Sequence, residues 1–237
     1  IDTAGNIGSA TSYSWTIDLT TPLASINSGP DSLTNSTSAS FTFSANPPPS
    51  GSITGYECDI DSAGFASCSS PKSYSSLTQG SHTFQVRSID NNGNRSTAVS
   101  QTWTVDTTAP TLTINSNPTS LNNSTSASFT FSATDSGGGS VASFACKIDA
   151  GSYAGCSSPV NYSSLTQGSH TFYVTATDSA GNTSSATTNT WTTDLTAPAI
   201  TISANPTAIT NSSSANFTFS AADSGGGAVS SYQCSID

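Results

Sequence analysis

Apolar side chains recur at every second position over short runs, separated by stretches rich in Gly, Pro, Asn, Asp and Ser. In the segment 126–133, Phe129 and Phe131 share one parity; in 142–148, Phe144, Cys146 and Ile148 do so; in 170–177, Phe172, Val174 and Ala176 do so. Strict alternation predicts strands with one buried face. Further strands are predicted at 111–115, at 160–165, and at 184–193, where Trp191 sits near the end. The runs at Asp135-Ser-Gly-Gly-Gly and at Asp178–Asn182 predict a loop and a turn, because Gly and Asn tolerate backbone angles that other residues avoid. No helical period is present to supply the crossovers that a parallel sheet would need.

The pattern is periodic on a longer scale too. Trp15, Trp103 and Trp191 are spaced by 88, as are Cys58, Cys146 and Cys234, and Asp18, Asp106 and Asp194. SYSSLTQGSHTF ending at Phe84 returns as NYSSLTQGSHTF ending at Phe172, and no insertion breaks the register. Self-similarity at a fixed period marks a tandem array. Residues 22–109 and 110–197 are predicted to be complete units. They are flanked by the end of a preceding unit (1–21) and the start of a following one (198–237), as in a piece of a longer repetitive protein. About seven short strands per unit predict an all-β, immunoglobulin-like sandwich.

Composition narrows the function. Ser and Thr exceed a third of the 237 residues, only 8% are charged, Met is absent and Glu57 is the single glutamate. Scarce helix formers exclude an α-helical protein. A formal charge of −10, with no basic patch, excludes nucleic acid as a partner. No apolar run is long enough for a membrane-spanning helix. The chain holds neither a Ser/His/Asp constellation nor a phosphate loop, and an enzyme is not expected.

Three motifs carry a resemblance: Asp106-Thr-Thr-Ala-Pro110 between units, Thr175-Ala-Thr-Asp178-Ser-Ala-Gly-Asn182 before a last strand, and Tyr162-Ser-Ser-Leu165-Thr-Gln-Gly168 before another. Together they resemble the bacterial Ig-like repeats of large secreted surface proteins and adhesins. The last is also similar to the corner of fibronectin type III domains, where a Tyr or Leu closes the core beside a glycine turn. The resemblance covers the whole chain and implies an extracellular stalk or fibre, with neighbouring repeats as partners.

Cys58 and Cys68, like Cys146 and Cys156, flank nine residues containing Asp and Gly turn formers. One disulfide per unit is expected, joining a strand to the segment after it, in an oxidising compartment outside the cytoplasm. Cys234 would be the first member of a third pair. The acidic residues suggest a second device. In this topology Asp135 and Asp178 open two loops at the end where the linker residue Asp106 enters, so three carboxylates converge there. Calcium takes six to eight oxygens of this kind, and related adhesin repeats hold calcium at such junctions. Asp194 and Asp223 are the equivalents in the next repeat. In the preceding one Asp18 and Asp90 remain, but Pro47 replaces the third acid, which argues against a site there. The alternative is that Asp-x-x-Gly-Asn is a turn and Asp106 a solvated linker residue.

His82 and His170 are expected to be packed or surface residues, and the tryptophans to pack in the core or between repeats. Phe65 and Tyr153, at the tip of the cysteine loop, are the candidates for stacking on a sugar. Asn35, Asn123 and Asn211 fit the N-glycan acceptor pattern but are expected to be turn residues. The leading expectation is structural material for a stalk. Its alternatives are a self-assembling filament or sheath of identical chains, and a carbohydrate-binding spacer of a secreted hydrolase.

Overall fold

The computed structural model describes residues 1–49 and 51–236. All of its regular elements are strands; no helix of the described residues is long and apolar enough to cross a membrane. Two compact units divide the chain, Ile1–Val105 and Asp106–Asp237.

In the first unit, β1 (Leu23–Ser28), β3 (Ala39–Asn46) and β6 (Lys72–Tyr74) form one sheet in the order β1-β3-β6. The facing sheet has the order β2-β8-β7-β4-β5, from β2 (Leu33–Thr34), β4 (Ile53–Ile60), β5 (Ala66–Cys68), β7 (Gly80–Asp90) and β8 (Val99–Val105). The second unit repeats both sheets. β9 (Thr111–Ser116), β11 (Ala127–Thr134) and β14 (Val160–Tyr162) make the three-stranded sheet. β10 (Leu121–Asn122), β12 (Val141–Ile148), β13 (Ala154–Cys156), β15 (Gly168–Asp178) and β16 (Thr187–Thr193) make the five-stranded one. Residues 199–222 begin a further repeat with the pair β17 (Ala199–Ala204) and β18 (Thr218–Ala222). The architecture is a tandem of Ig-like sandwiches.

Alternation produces this result directly. Along β15 every second side chain is buried, from His170 through Phe172, Val174 and Ala176 to Asp178. Phe172 lies stacked on Phe129 of β11 with centroids 4.1 Å apart, and Trp191 of β16 tilts against Phe129 at 5.3 Å. Leu165 is buried beside them, and Gly168, at φ +125°, turns the chain into β15 as the corner motif predicts. The same cluster recurs around Phe41, Phe84 and Trp103. At about 25 cal/mol per Å² of apolar surface, such aromatic packing is the main stabilising contribution each unit has. Trp15, at the equivalent position of the segment 1–21, is 72% exposed.

Among the described residues, each of the repeats 22–109 and 110–197 has eight strands where about seven are predicted. The additions are short: β10 and β2 pair in parallel with the last strand of their unit over two residues, and β13 and β5 are three residues long. Segment 160–165 leaves the sheet after Tyr162, since the Leu165 N–H donates to the Thr125 carbonyl in a loop.

Candidate metal centre

The cysteines close a hairpin. Cys146 on β12 and Cys156 on β13 are bonded at 2.03 Å, as are Cys58 on β4 and Cys68 on β5 at 2.08 Å. The strands pair antiparallel across an Asp/Gly turn, and this brings the sulfurs together. Cys234 is exposed and unbonded among the described residues.

The histidines are held more firmly than their isolation in sequence suggests. His170 Nδ1 lies 2.8 Å from Asp149 Oδ2 and its Nε2 lies 2.9 Å from the Thr166 carbonyl. His82 repeats this with Asp61 at 2.7 Å and Thr78 at 2.8 Å. Both ring nitrogens therefore face acceptors, which only the doubly protonated imidazolium satisfies. Burial opposes that charge, but the carbonyl and carboxylate outweigh it, and both histidines are raised above their ordinary value. The acids stand 21 residues upstream, in the disulfide turn, so only the hairpin's return across β15 or β7 reveals the pair.

The tip aromatics are each accompanied by a cation. Phe65 is partly buried with the Arg87 guanidinium 4.2 Å from its ring centre, and Arg87 is paired with Glu57 at 2.7 Å. Tyr153 is 44% exposed, with Lys147 Nζ 5.2 Å from its ring.

The acidic residues behave differently. Asp106, Asp135 and Asp178 each place an oxygen within 4.8 Å of the others. Asp178 ends β15 and is almost fully buried. Its Oδ1 accepts the N–H groups of Ala180 and Asn182 at 2.9 and 2.8 Å, and its Oδ2 accepts the Asn182 amide at 2.9 Å. Burial alone would raise this carboxyl; the Asn182 and turn donors outweigh it and hold it below the usual carboxylate value. The same Asn182 amide reaches the Asp106 carbonyl at 2.8 Å, fastening the entering chain to the turn.

Asp106 is fully buried. Its Oδ1 accepts the Thr108 N–H and its Oδ2 accepts the Gly139 N–H at 2.9 Å. The glycines matter for space: a Cβ on Gly139 would lie 2.8 Å from Asp106 Oδ2 and 2.9 Å from Asp135 Oδ2, and one on Gly137 would collide with Asp106 Oδ1. The loop is glycine-rich because it presses backbone against two carboxylates. Asp135 Oδ1 accepts the Gly137 N–H, whereas Asp135 Oδ2 is buried with no hydrogen-bond partner among the described residues. A buried carboxylate oxygen without a donor is costly, and three carboxylates in one place repel. Such an oxygen-only set suits a hard cation.

The beginning of the site recurs in the next repeat. Gly227 N–H donates to Asp194 Oδ2 at 3.0 Å, and a Cβ there would lie 2.9 Å from both Asp194 Oδ2 and Asp223 Oδ2. In the first unit Asp18 and Asp90 come together without a third acid, because Pro47 stands in that place.

Among solved structures, the chain is similar to the fibronectin(III)-like modules of Clostridium thermocellum CbhA, at 16% identity over 72% of this chain and 94% of that one, with a TM-score of 0.39. It is also similar to the PKD1 domain of Vibrio anguillarum Epp, at 19% identity over 37% of this chain and 99% of that one, with a TM-score of 0.30. No curated protein sequence matches it. A family model, by contrast, matches residues 72–134 and 158–219, more than half of the chain, and by that match the chain belongs to the bacterial Ig-like domains (group 3).

Proposed function

We propose that the chain is non-enzymatic spacer material of a bacterial surface protein, in which repeats 22–109 and 110–197 serve as successive rungs of an extracellular stalk. The observation that carries this is the equivalence of the two units: each has its own aromatic core, with Phe41, Phe43, Phe84 and Trp103 matching Phe129, Phe131, Phe172 and Trp191, and its own disulfide, at positions displaced by 88. A disulfide in every unit fits an oxidising, extracellular location, and domains of this family are typical of such proteins. A protein whose parts are interchangeable is suited to setting a distance rather than to assembling one reaction centre.

Within that role, Asp106, Asp135 and Asp178 hold a calcium ion in the second unit. The ion neutralises converging carboxylates and gives the buried Asp135 Oδ2 a partner. It fixes the entering residue Asp106 to the loops opened by Asp135 and Asp178. Asp194 and Asp223 supply two ligands of the equivalent site in the following repeat.

Eleven residues of β15 at about 3.4 Å each span roughly 37 Å, which sets the expected increment per repeat. The test is to join two, four and eight repeats and measure the maximum dimension by small-angle scattering and electron microscopy with calcium present. Linear growth by a constant increment of that order is expected. Growth that levels off, as repeats fold back on one another, would refute the spacer role.

A further inference from the structure

An offset of 88 places Asp18 on Asp106 and Asp90 on Asp178, but Pro47 on Asp135 and Asn92 on Ala180. Both departures fall in one repeat. The preceding tail has Ala4 where Asn92 stands, and the following head has Asp223 where Pro47 stands. They are chemically complementary, since one removes a carboxylate and the other adds an amide with two N–H donors.

The geometry uses that donor. The Asn92 amide donates to Asp18 Oδ2 at 3.1 Å. In the second unit the corresponding oxygen, Asp106 Oδ2, takes the Gly139 N–H. The glycine that matches Gly139 is Gly51, and its N–H is committed to the Pro48 carbonyl at 3.0 Å within the proline turn. The place of Gly137, which has no room for a Cβ beside its carboxylate, is taken by Pro49. The rest of the arrangement is kept. Asn94 donates to the Asp18 carbonyl at 3.1 Å and to Asp90 Oδ2 at 3.0 Å, as Asn182 does to Asp106 and Asp178.

We infer that Asn92 stands in for the cation: its amide latches Asp18 to the Asp90 turn, and the first unit takes no calcium. Two carboxylates, each supplied with N–H donors, need no counter-charge, whereas three with an unpartnered buried oxygen do. The array therefore mixes cation-independent and cation-dependent repeats, and the pair of residues at positions 47 and 92 decides which kind a repeat is. The statement about calcium rests on the site proposed for the second unit; the latch itself does not.

The experiment is amide exchange and calcium titration of the whole chain by NMR, with Thr20 and Asn94 reporting on the first unit and Thr108 and Asn182 on the second. Asn92→Ala should speed exchange at Thr20 and Asn94 roughly three- to tenfold, the loss of about one hydrogen bond, and by the same factor in EDTA and in calcium. Calcium should shift Thr108 and Asn182 while leaving Thr20 and Asn94 in place. Pro47→Asp/Pro49→Gly/Asn92→Ala should bind one more calcium equivalent than the wild type and slow exchange at Thr20 only when calcium is present. Unchanged exchange in Asn92→Ala, or a calcium response at Thr20 and Asn94 of the wild type, would overturn the latch. If calcium moves neither unit yet Asn92→Ala still speeds exchange in EDTA, the calcium site fails and the latch stands.

Discussion

In the second unit Asp106, Asp135 and Asp178 cluster, and His170 pairs with Asp149. Asp135 sits where its charge is unwelcome unless a cation is bound, so Asp135→Asn should act in opposite directions in two buffers. In calcium the wild type should melt higher than the variant. In EDTA the variant should be at least as stable, because a repelling charge has gone and Asn brings N–H donors to the cluster. Calorimetry in both buffers checks this, and an equal calcium response in the two proteins would exclude Asp135 as a ligand. The histidines give a different pH signature. Their folded-state pKa is raised, so the folded chain keeps its proton to higher pH than the unfolded chain does. Their contribution is complete below about pH 6.5, the unfolded value, and is lost as pH climbs through the folded value. Melting temperature should thus fall with rising pH across that range, where the carboxylates are already ionised. His82→Gln/His170→Gln should flatten the profile; a wild-type melting temperature that rises there would contradict the pairing with Asp61 and Asp149.

At the scale of elements, the disulfide hairpin joins the two kinds of information a sequence contains. Its sulfurs are ten residues apart in sequence, and a ring of that size removes about 3 kcal/mol of unfolded-state entropy. Cys146→Ala/Cys156→Ala should lower the unfolding free energy of the second unit by about that amount, as urea denaturation followed by Trp191 fluorescence would measure. A loss well under about 1 kcal/mol would mean that unfolded-state structure cancels the entropy term. The hairpin was legible because Asp and Gly lie between two cysteines, and the long strands because Phe129/Phe131 and Phe172/Val174 alternate. The two-residue β2 and β10 were not, since a bridge of that length contains no period. The His170–Asp149 pair was equally hidden, because it depends on β12 and β15 lying side by side in a particular register. The convergence of Asp106, Asp135 and Asp178 could be read only through the topology that the repeat implied. The latch from Asn92 to Asp18 could not, because it required knowing that the proline loop turns its Gly51 amide elsewhere.

For the molecule as a whole, the proposed spacer role requires that length be kept under load, and the covalent bridges set how much chain a unit can release. When one unit unfolds under tension, the ten-residue separation behind its disulfide stays closed and adds no length. At about 3.5 Å per extended residue, and less the 5.8 Å that the bridged Cα atoms already span, the withheld length amounts to roughly 30 Å per unit. Stretching single molecules between a surface and a cantilever should therefore give regular unfolding steps whose contour length increases by about this amount when a reductant is added. The increase should appear in every step, because both complete units bond the same two positions. It should be absent from Cys58→Ala/Cys68→Ala/Cys146→Ala/Cys156→Ala, whose steps should be long from the start. Steps of wild-type protein that do not respond to reductant would mean that the bridges do not restrain extension. A response in only half of the steps would mean that the two units are not mechanically equivalent, and the notion of interchangeable rungs would fail at the scale where it matters.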